Sequence, residues 1–392
     1  MRHNPSRDNQ QKSKDPKSTH IPVAQPALVG NEREYVLDCI DSNWISSQGK
    51  YIRLFEESFA ELCHTKHAIT CTNGTIALHL ALLALDIRPG DEVIVPTLTY
   101  IATANAVLYC GGTPTFVDCD PETWNIDPVQ LAEKITPRTR AIIVVHLYGH
   151  PCDMDPIMEI GEKKNVPVIE DAAEAHGALY KGKRVGGLGD LATFSFYGNK
   201  LVTTGEGGMV VTNNDILAER IRQLRGQGQD PNRRYWFPIV GYNYRMTNIV
   251  AAIGLAQIEQ FDWHIAQRRQ IAVWYQKYLT GTPELILPVE REWAYNVYWL
   301  YSVVLSDTSQ VTRDMVQERL ADKGIDTRPF FYPVHTLPPY LHIVNGQSFP
   351  VAERISANGI NLPTWAGLTE DQVLHVSRSL KGALQPEDDA QS

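Results

Sequence analysis

Apolar positions recur along the chain in two rhythms, and the switches between them outline its elements. From Leu191 to Tyr197, Leu191, Thr193, Ser195 and Tyr197 alternate with Ala192, Phe194 and Phe196. This β-branched and aromatic run predicts a buried strand ending just before Gly198. Gly205, Gly207 and Gly208 then permit a tight turn, and Met209-Val210-Val211 reads as a second strand. One lysine, Lys200, stands between strand and turn.

The same alternation of strand and helix fills the chain before it. Ile69 to Cys71 is a short strand meeting Thr72-Asn73-Gly74-Thr75 and a long apolar helix. Glu92 to Val95 and Pro114 to Val117 are further strands, around a helix expected from about Tyr100. RAIIVVHLYG and NVPVIEDAAEAHGA add two more, the second with its strand at Val166 to Ile169 and Asp171 just beyond. Strands alternating with helices predict a largely parallel sheet. Ahead of the first strand, two helical patterns flank Asn43 to Gly49, with Val36, Leu37 and Ile40 sharing one face and Leu54, Phe55, Phe59 and Leu62 another. Thr247 or Asn248 is placed to cap the helix that follows YNYRM. From about Phe261 the pattern changes to a helix, the strand VYWLYSVVLS, the helix TRDMVQERLADKG, the loop IDTRPFFYPVHTLPPY and a last helix near Thr369 to Leu380. The chain therefore divides into a polar tail over 1–20, expected to be disordered, a large α/β domain over 21–260 and a smaller α+β domain over 261–392.

Composition narrows the chemistry. A formal charge of −9 over 392 residues argues against nucleic acid held by phosphate contacts. The six cysteines form no CxxC pair and have no metal-like spacing to histidine, so no metal site is expected. No apolar run has the length of a membrane span or a secretion signal. These features point to a soluble cytoplasmic protein acting on small molecules.

Three places carry candidate chemistry. The strand, glycine turn and helix start at Gly74-Thr75 suit a phosphate, because unpaired N–H groups and the helix dipole face an anion there; Thr72, Asn73 or Thr75 can equally cap the helix. Asp171, at the carboxyl end of a strand, lies where α/β sheets bind ligands, and its alternative role is to cap the segment after it. Lys200 suits imine formation with an aldehyde if desolvation releases its proton; its alternative is a solvated hairpin charge. Together a lysine for the imine, a carboxylate for a pyridine nitrogen and donors for a phosphate meet the needs of pyridoxal 5'-phosphate.

With these residues in view, the chain resembles the DegT/DnrJ/EryC1/StrS sugar aminotransferases, of fold type I among pyridoxal phosphate enzymes. WISSQGKY, TNGTIALHLAL, GDEVIVPTLTYIATANAV, EDAAEAHGA, SFYGNKLVTTGEGG, YNYRMTNIVAAIGLAQ and TRPFFYPVH occur in the family's order from about Ile21 to Leu380. The resemblance implies Lys200 as the Schiff-base lysine, Asp171 as partner of the ring nitrogen, and Gly74, Thr75 and Ser195 at the phosphate. It implies Tyr100 over one cofactor face, Ala173 against the other, and Glu174 near the cofactor hydroxyl. Asn243 resembles the residue that reaches the neighbouring subunit's phosphate, which implies a homodimer with shared active sites. Where many members have histidine this chain has Tyr197. The form FYGNK, with TRPFFYPVH, is most like members that move an amino group from L-glutamate to C4 of GDP-4-keto-6-deoxy-D-mannose. Glu206, Trp44, Ser46, Arg245, Tyr332 and His335 are candidate contacts to such a nucleotide-linked keto sugar. A dTDP- or UDP-linked sugar is the alternative substrate. A related sugar dehydratase would have histidine in place of Lys200, and a cofactor-binding regulator would need a partner domain that the short tail is too small to form.

Overall fold

A computed structural model describes residues 20–344 and 346–386. The tail expected over residues 1–20 therefore lies outside the described residues, His20 excepted, as do residues 387–392. Nine strands belong to the first part of the chain: β1 His67–Cys71, β2 Glu92–Pro96, β3 Thr113–Val117, β4 Thr139–Val145, β5 Val168–Asp171, β6 Leu179–Tyr180, β7 Lys183–Arg184, β8 Leu191–Ser195 and β9 Gly208–Thr212. Seven of them form one sheet in the order β1-β9-β8-β5-β4-β2-β3. All neighbours are parallel except β9, which runs antiparallel to β1 and β8. Valine and isoleucine fill both faces of the central strands, as a sheet covered by helices on both sides requires. The carboxyl ends of β1, β2, β4, β5 and β8 consequently share one edge.

After the long helix Phe261–Leu279, the strands β10 Leu285–Ile286, β11 Ala294–Tyr295, β12 Tyr301–Leu305, β13 Arg328–Pro329 and β14 Gly359–Leu362 follow. Four of these make a small antiparallel sheet, β10-β12-β14-β13. Its own core joins Tyr275, Tyr301, Val303, Leu320, Ile360, Val376 and Leu380. Ile21 also belongs to this core and bridges to Ile325. The fold is thus the α/β architecture expected, a mainly parallel mixed sheet with helices on its faces and a smaller α+β portion.

Several local expectations are corrected. β5 runs on through Asp171, because Glu170 and Asp171 pair with Val144 and Val145 of β4, and Asp171 with Thr193 of β8. β8 stops at Ser195, and Phe196 to Gly207 form an irregular connection closed by a Tyr197 to Gly205 bridge instead of a tight turn. The helix expected from Tyr100 begins at Ala102. The helix Glu32–Asp41 buries Glu32 and Cys39, leaving Leu37 and Ile40 exposed at 45% and 52%. It is turned that way by polar ties, since Glu32 accepts from Gly30 N and Gln257 Nε2, and Asn248 Nδ2 donates to Cys39 Sγ. Thr247 holds the N-cap position of the helix Asn248–Glu259 without a side-chain hydrogen bond, and the Asn248 side chain serves another helix: its Oδ1 accepts from Tyr51 N at the start of Lys50–Cys63 and its Nδ2 donates to Trp44 O, stapling the Trp44–Tyr51 segment.

Candidate active site

Five strand ends deliver the candidate residues to one edge of the sheet. At the end of β1, Asn73 accepts from Ile76 N and so caps the helix Gly74–Ala84, which resolves the choice among Thr72, Asn73 and Thr75. Among the described residues, no hydrogen bond claims the N–H groups of Gly74 and Thr75, and the buried Thr72 hydroxyl has no partner. Donors left over at a helix start form a place for an anion. Ser195, at the end of β8, lies against this turn so closely that a Cβ on Gly74 would stand 2.6 Å from Ser195 Cβ. Gly74→Ala is accordingly expected to push the turn from Ser195, lowering stability by about 1–3 kcal/mol and weakening cofactor retention; thermal denaturation and dialysis measure the two effects.

Asp171 is 5% exposed, and among the described residues its carboxylate has two close donors. Thr103 Oγ1 donates to Oδ2 at 2.8 Å and Ala173 N to Oδ1 at 3.3 Å. Burial raises its pKa, while Thr103, Ala173 and the charge of Lys200 work against the rise. An incoming cation would complete what these donors leave unfinished. Ala173 N–H closes a local turn on Asp171, the contact that the capping reading expects.

Lys200 occupies the Phe196 to Gly207 connection with 12% of its side chain exposed. Its Nζ lies 3.7 Å from Glu174 Oε1 and 3.9 Å from the centroid of the Trp299 ring. Burial lowers its pKa, opposed by Glu174 and Asp171. Glu174 itself is pushed up to about 7 by burial, against the pull of Lys200 and of Tyr148 N–H, which donates to its Oε2 at 2.9 Å. An amine with a depressed pKa beside an acid with a raised one has a smaller difference in proton affinity to overcome, which eases proton exchange between them. Tyr148 adopts a left-handed backbone, φ 52°, to aim that N–H. The surface-lysine alternative is therefore excluded.

The remaining candidates divide by location. Tyr100 is exposed at 57%, with its ring 5.6 Å from Phe331. Asn243 is exposed and accepts from Arg245 Nε and NH2; no hydrogen bond joins it to Gly74, Ser195 or Lys200 within the described residues of one chain. Trp44, Ser46, Glu206, Arg245 and Tyr332 are exposed. His335 is not available as a substrate contact: it is buried, with Nδ1 2.6 Å from Thr97 Oγ1 and Nε2 3.1 Å from Glu353 Oε1. Thr103, Tyr148 and Trp299 are additions the sequence reading missed. Thr103 follows Tyr100 by less than one helical turn, a detectable signal; Trp299 arrives from the second part of the chain, where no local pattern marks it. All six cysteines are free thiols, and among the described residues no group of three or more His, Cys, Asp or Glu is arranged to hold a metal ion. No helix there is long and apolar enough to cross a membrane.

A buried lysine and a strand-end aspartate beside an anion-ready helix start, on one edge of a mainly parallel sheet, define a pyridoxal phosphate-dependent transferase of fold type I. The chain belongs to the DegT/DnrJ/EryC1/StrS aminotransferase family, whose pattern matches residues 26–381. It is 56% identical over 365 residues to the GDP-perosamine synthase of Caulobacter vibrioides, covering 93% of this chain and 98% of that one. Its identity to the GDP-perosamine synthase of Escherichia coli O157:H7 is 52% over 361 residues, covering 92% and 98%. The putative sugar aminotransferase Spr1654 of Streptococcus pneumoniae, in its PLP form, superposes with a TM-score of 0.88 at 28% identity, over 93% of this chain and 98% of that one.

Proposed function

We propose that the protein is a nucleotide-sugar aminotransferase that moves an amino group from L-glutamate to C4 of GDP-4-keto-6-deoxy-D-mannose, forming GDP-perosamine. The observation that carries the reaction is Lys200, nearly buried, 3.7 Å from Glu174 and within the field of Asp171. The likeness to two GDP-perosamine synthases supports the sugar. Pyridoxal phosphate, when bound, supplies the electron sink for breaking and making the bond to the α-proton. The chain's own residues do the rest. Gly74 and Thr75 N–H groups and the Ser195 hydroxyl would hold the phosphate. Asp171, kept in place by Thr103, would balance the ring nitrogen's charge. Tyr100 and Ala173 would bound the two ring faces, and Glu174 would meet the hydroxyl. Lys200, once its amine is neutral, would accept the donor's α-proton as general base and return it from the same face as general acid. On this reading residues 21–260 form the cofactor-binding domain and residues 261–392 the smaller one, and the reaction takes place in the cytoplasm.

The site is completed by a second copy of the chain. Leu28, Val29, Leu37, Ile40, Trp44 and Ile45 are all exposed and apolar at or beside the helix Glu32–Asp41. A solvent-facing group of this kind suits an interface. Asn243 is exposed and, among the described residues, makes no hydrogen bond to Gly74, Ser195 or Lys200 of its own chain, as suits a residue serving the partner's phosphate. Leu37→Glu with Ile40→Glu, two exposed positions, is expected to leave the fold intact, convert the dimer to monomer in sedimentation velocity, and lower activity together with it. A fully active monomer would contradict shared sites.

Mass spectrometry of products from GDP- and dTDP-linked 4-keto-6-deoxyhexoses, with glutamate as donor, tests the substrate. Amination of the dTDP sugar alone defeats the GDP reading.

A further inference from the structure

We propose that the face of the Trp299 ring is the seat of the Lys200 ammonium, so that Trp299 is a further catalytic residue acting each time the lysine carries the transferred proton; this rests on the aminotransferase reading above. The amine stands 3.9 Å from the centroid of that ring. Among the described residues four other lysines approach an aromatic ring, each at 4.8 Å or more. Glu174 Oε1, at 3.7 Å, is beyond an ordinary charge-assisted hydrogen bond, so the carboxylate alone does not seat the amine.

Trp299 is 3% exposed and is tied down through both its ring and its backbone. Its Nε1 donates at 2.8 Å to Asn199 O, the carbonyl immediately before Lys200, so ring and lysine share one anchor. Its own carbonyl accepts from Arg268 Nη1 at 2.8 Å, and Arg268, buried on the long helix Phe261–Leu279, also donates to Thr364 O. The ring stacks on Tyr148, the residue whose N–H holds Glu174, with centroids 6.2 Å apart. Gly149 lets the two parts of the chain meet here. At φ 103° it leaves free the place where a Cβ would stand 2.9 Å from the backbone nitrogens of Tyr298 and Trp299. With Nε1 engaged, what Trp299 offers the amine is its π face.

Such a face suits a lysine that must give its proton away. The ring quadrupole attracts an ammonium, more strongly where water is excluded, and has no comparable hold on the neutral amine. Unlike the carboxylate of Glu174, the face has no lone pair that could take the proton. In the transfer the donor's α C–H bond breaks, its proton forms the third N–H bond of Lys200, and its electron pair passes to the bound pyridoxal phosphate. The proton then leaves the ammonium for its second carbon, and the amine is neutral again. Because the positive charge exists between those two events, a partner that recognises it acts on the transfer and not on substrate binding. The other charges facing the amine are Glu174 and Asp171, which favour the ammonium, and Arg328, which opposes it; burial keeps His176 neutral.

The test uses the full-length protein carrying Trp299→Leu, Trp299→Phe, or at position 299 a tryptophan fully fluorinated on its benzene ring, which weakens the face at nearly constant shape. Each is checked for wild-type melting temperature and cofactor absorbance. Acetylation of Lys200 by acetic anhydride against pH, read by mass spectrometry of its peptide in the cofactor-free and pyridoxamine-loaded forms, gives the titration midpoint of the amine without turnover. The fluorinated ring and Trp299→Leu are expected to lower that midpoint by about one pH unit. Above the midpoint they should slow α-proton transfer from glutamate about three- to tenfold, with a larger isotope effect for α-deuterated glutamate and an unchanged half-saturating concentration. Trp299→Phe, which keeps a face and loses the Nε1 bond, should fall between them and wild type. An unchanged midpoint in the fluorinated protein, or a phenylalanine variant no better than leucine, would overturn the assignment and leave Trp299 a packing residue. A midpoint that follows the ring in a wild-type protein inert toward glutamate would instead bring down the aminotransferase reading.

Discussion

Lys200→Ala protein is expected to lose the visible absorbance of lysine-bound pyridoxal phosphate and to transfer amino groups roughly 10²–10⁴-fold more slowly, the range that a positioned proton-transfer group contributes. The loss comes from two functions residing in one amine, attachment of the cofactor and movement of the α-proton. Folding should survive, because Lys200 belongs to an irregular connection and is absent from the apolar clusters around it. Its removal also takes away the positive charge that holds Glu174 down. Glu174 has a folded pKa of about 7 against an ordinary 4.5, so it favours the folded state at low pH and that contribution is lost as pH rises from 4.5 through about 7. Without Lys200 the window should move upward. Absorbance spectra of the cofactor-loaded proteins, and melting curves against pH of the cofactor-free wild-type and variant proteins, read the two effects. An unchanged visible band in the variant would remove Lys200 from the mechanism.

Asp171→Asn should separate stability from function. Burial raises the Asp171 pKa, so in cofactor-free protein the ionised carboxylate at neutral pH works against folding. The sign is that of an acid raised above its unfolded value: its contribution is complete at low pH and declines as pH rises through the folded pKa. Asparagine removes that burden and can still accept from Thr103. Cofactor-free Asp171→Asn is therefore expected to melt at or above the wild-type temperature at neutral pH. With cofactor, the same change removes the charge that keeps the ring nitrogen protonated, and turnover is expected to fall by about 10²–10³-fold, as for loss of one preorganised electrostatic group. A variant less stable without cofactor yet nearly as active with it would contradict the placement of Asp171 against the ring.

Much of this architecture can be read from local pattern because the responsible forces are local. Period-two runs such as Leu191 to Ser195 and strand-to-turn switches such as Cys71 to Gly74 depend on neighbours in sequence, and they correctly announce a mainly parallel sheet. Errors arise where a distant partner decides. Val36, Leu37 and Ile40 form an apolar face in sequence, yet Glu32 and Cys39 are buried instead through Gln257 and Asn248. Val166 to Ile169 looks like a complete strand until β4 and β8 extend the ladder into Glu170 and Asp171. His335 looks like a polar loop residue until Thr97 and Glu353 occupy both its nitrogens.

For the site, the sequence by itself determined which reactive groups exist and that they follow strands of one α/β sheet: Gly74-Thr75, Asp171, Ser195 and Lys200, with motifs in the order that marks the family. Only the tertiary structure decided that these groups share one sheet edge and that Glu174, held by Tyr148 N–H, and the Trp299 ring stand beside the lysine. The reason is physical. A lysine's proton affinity depends on burial and on charges nearby in space, and those charges come from residues far apart in the chain.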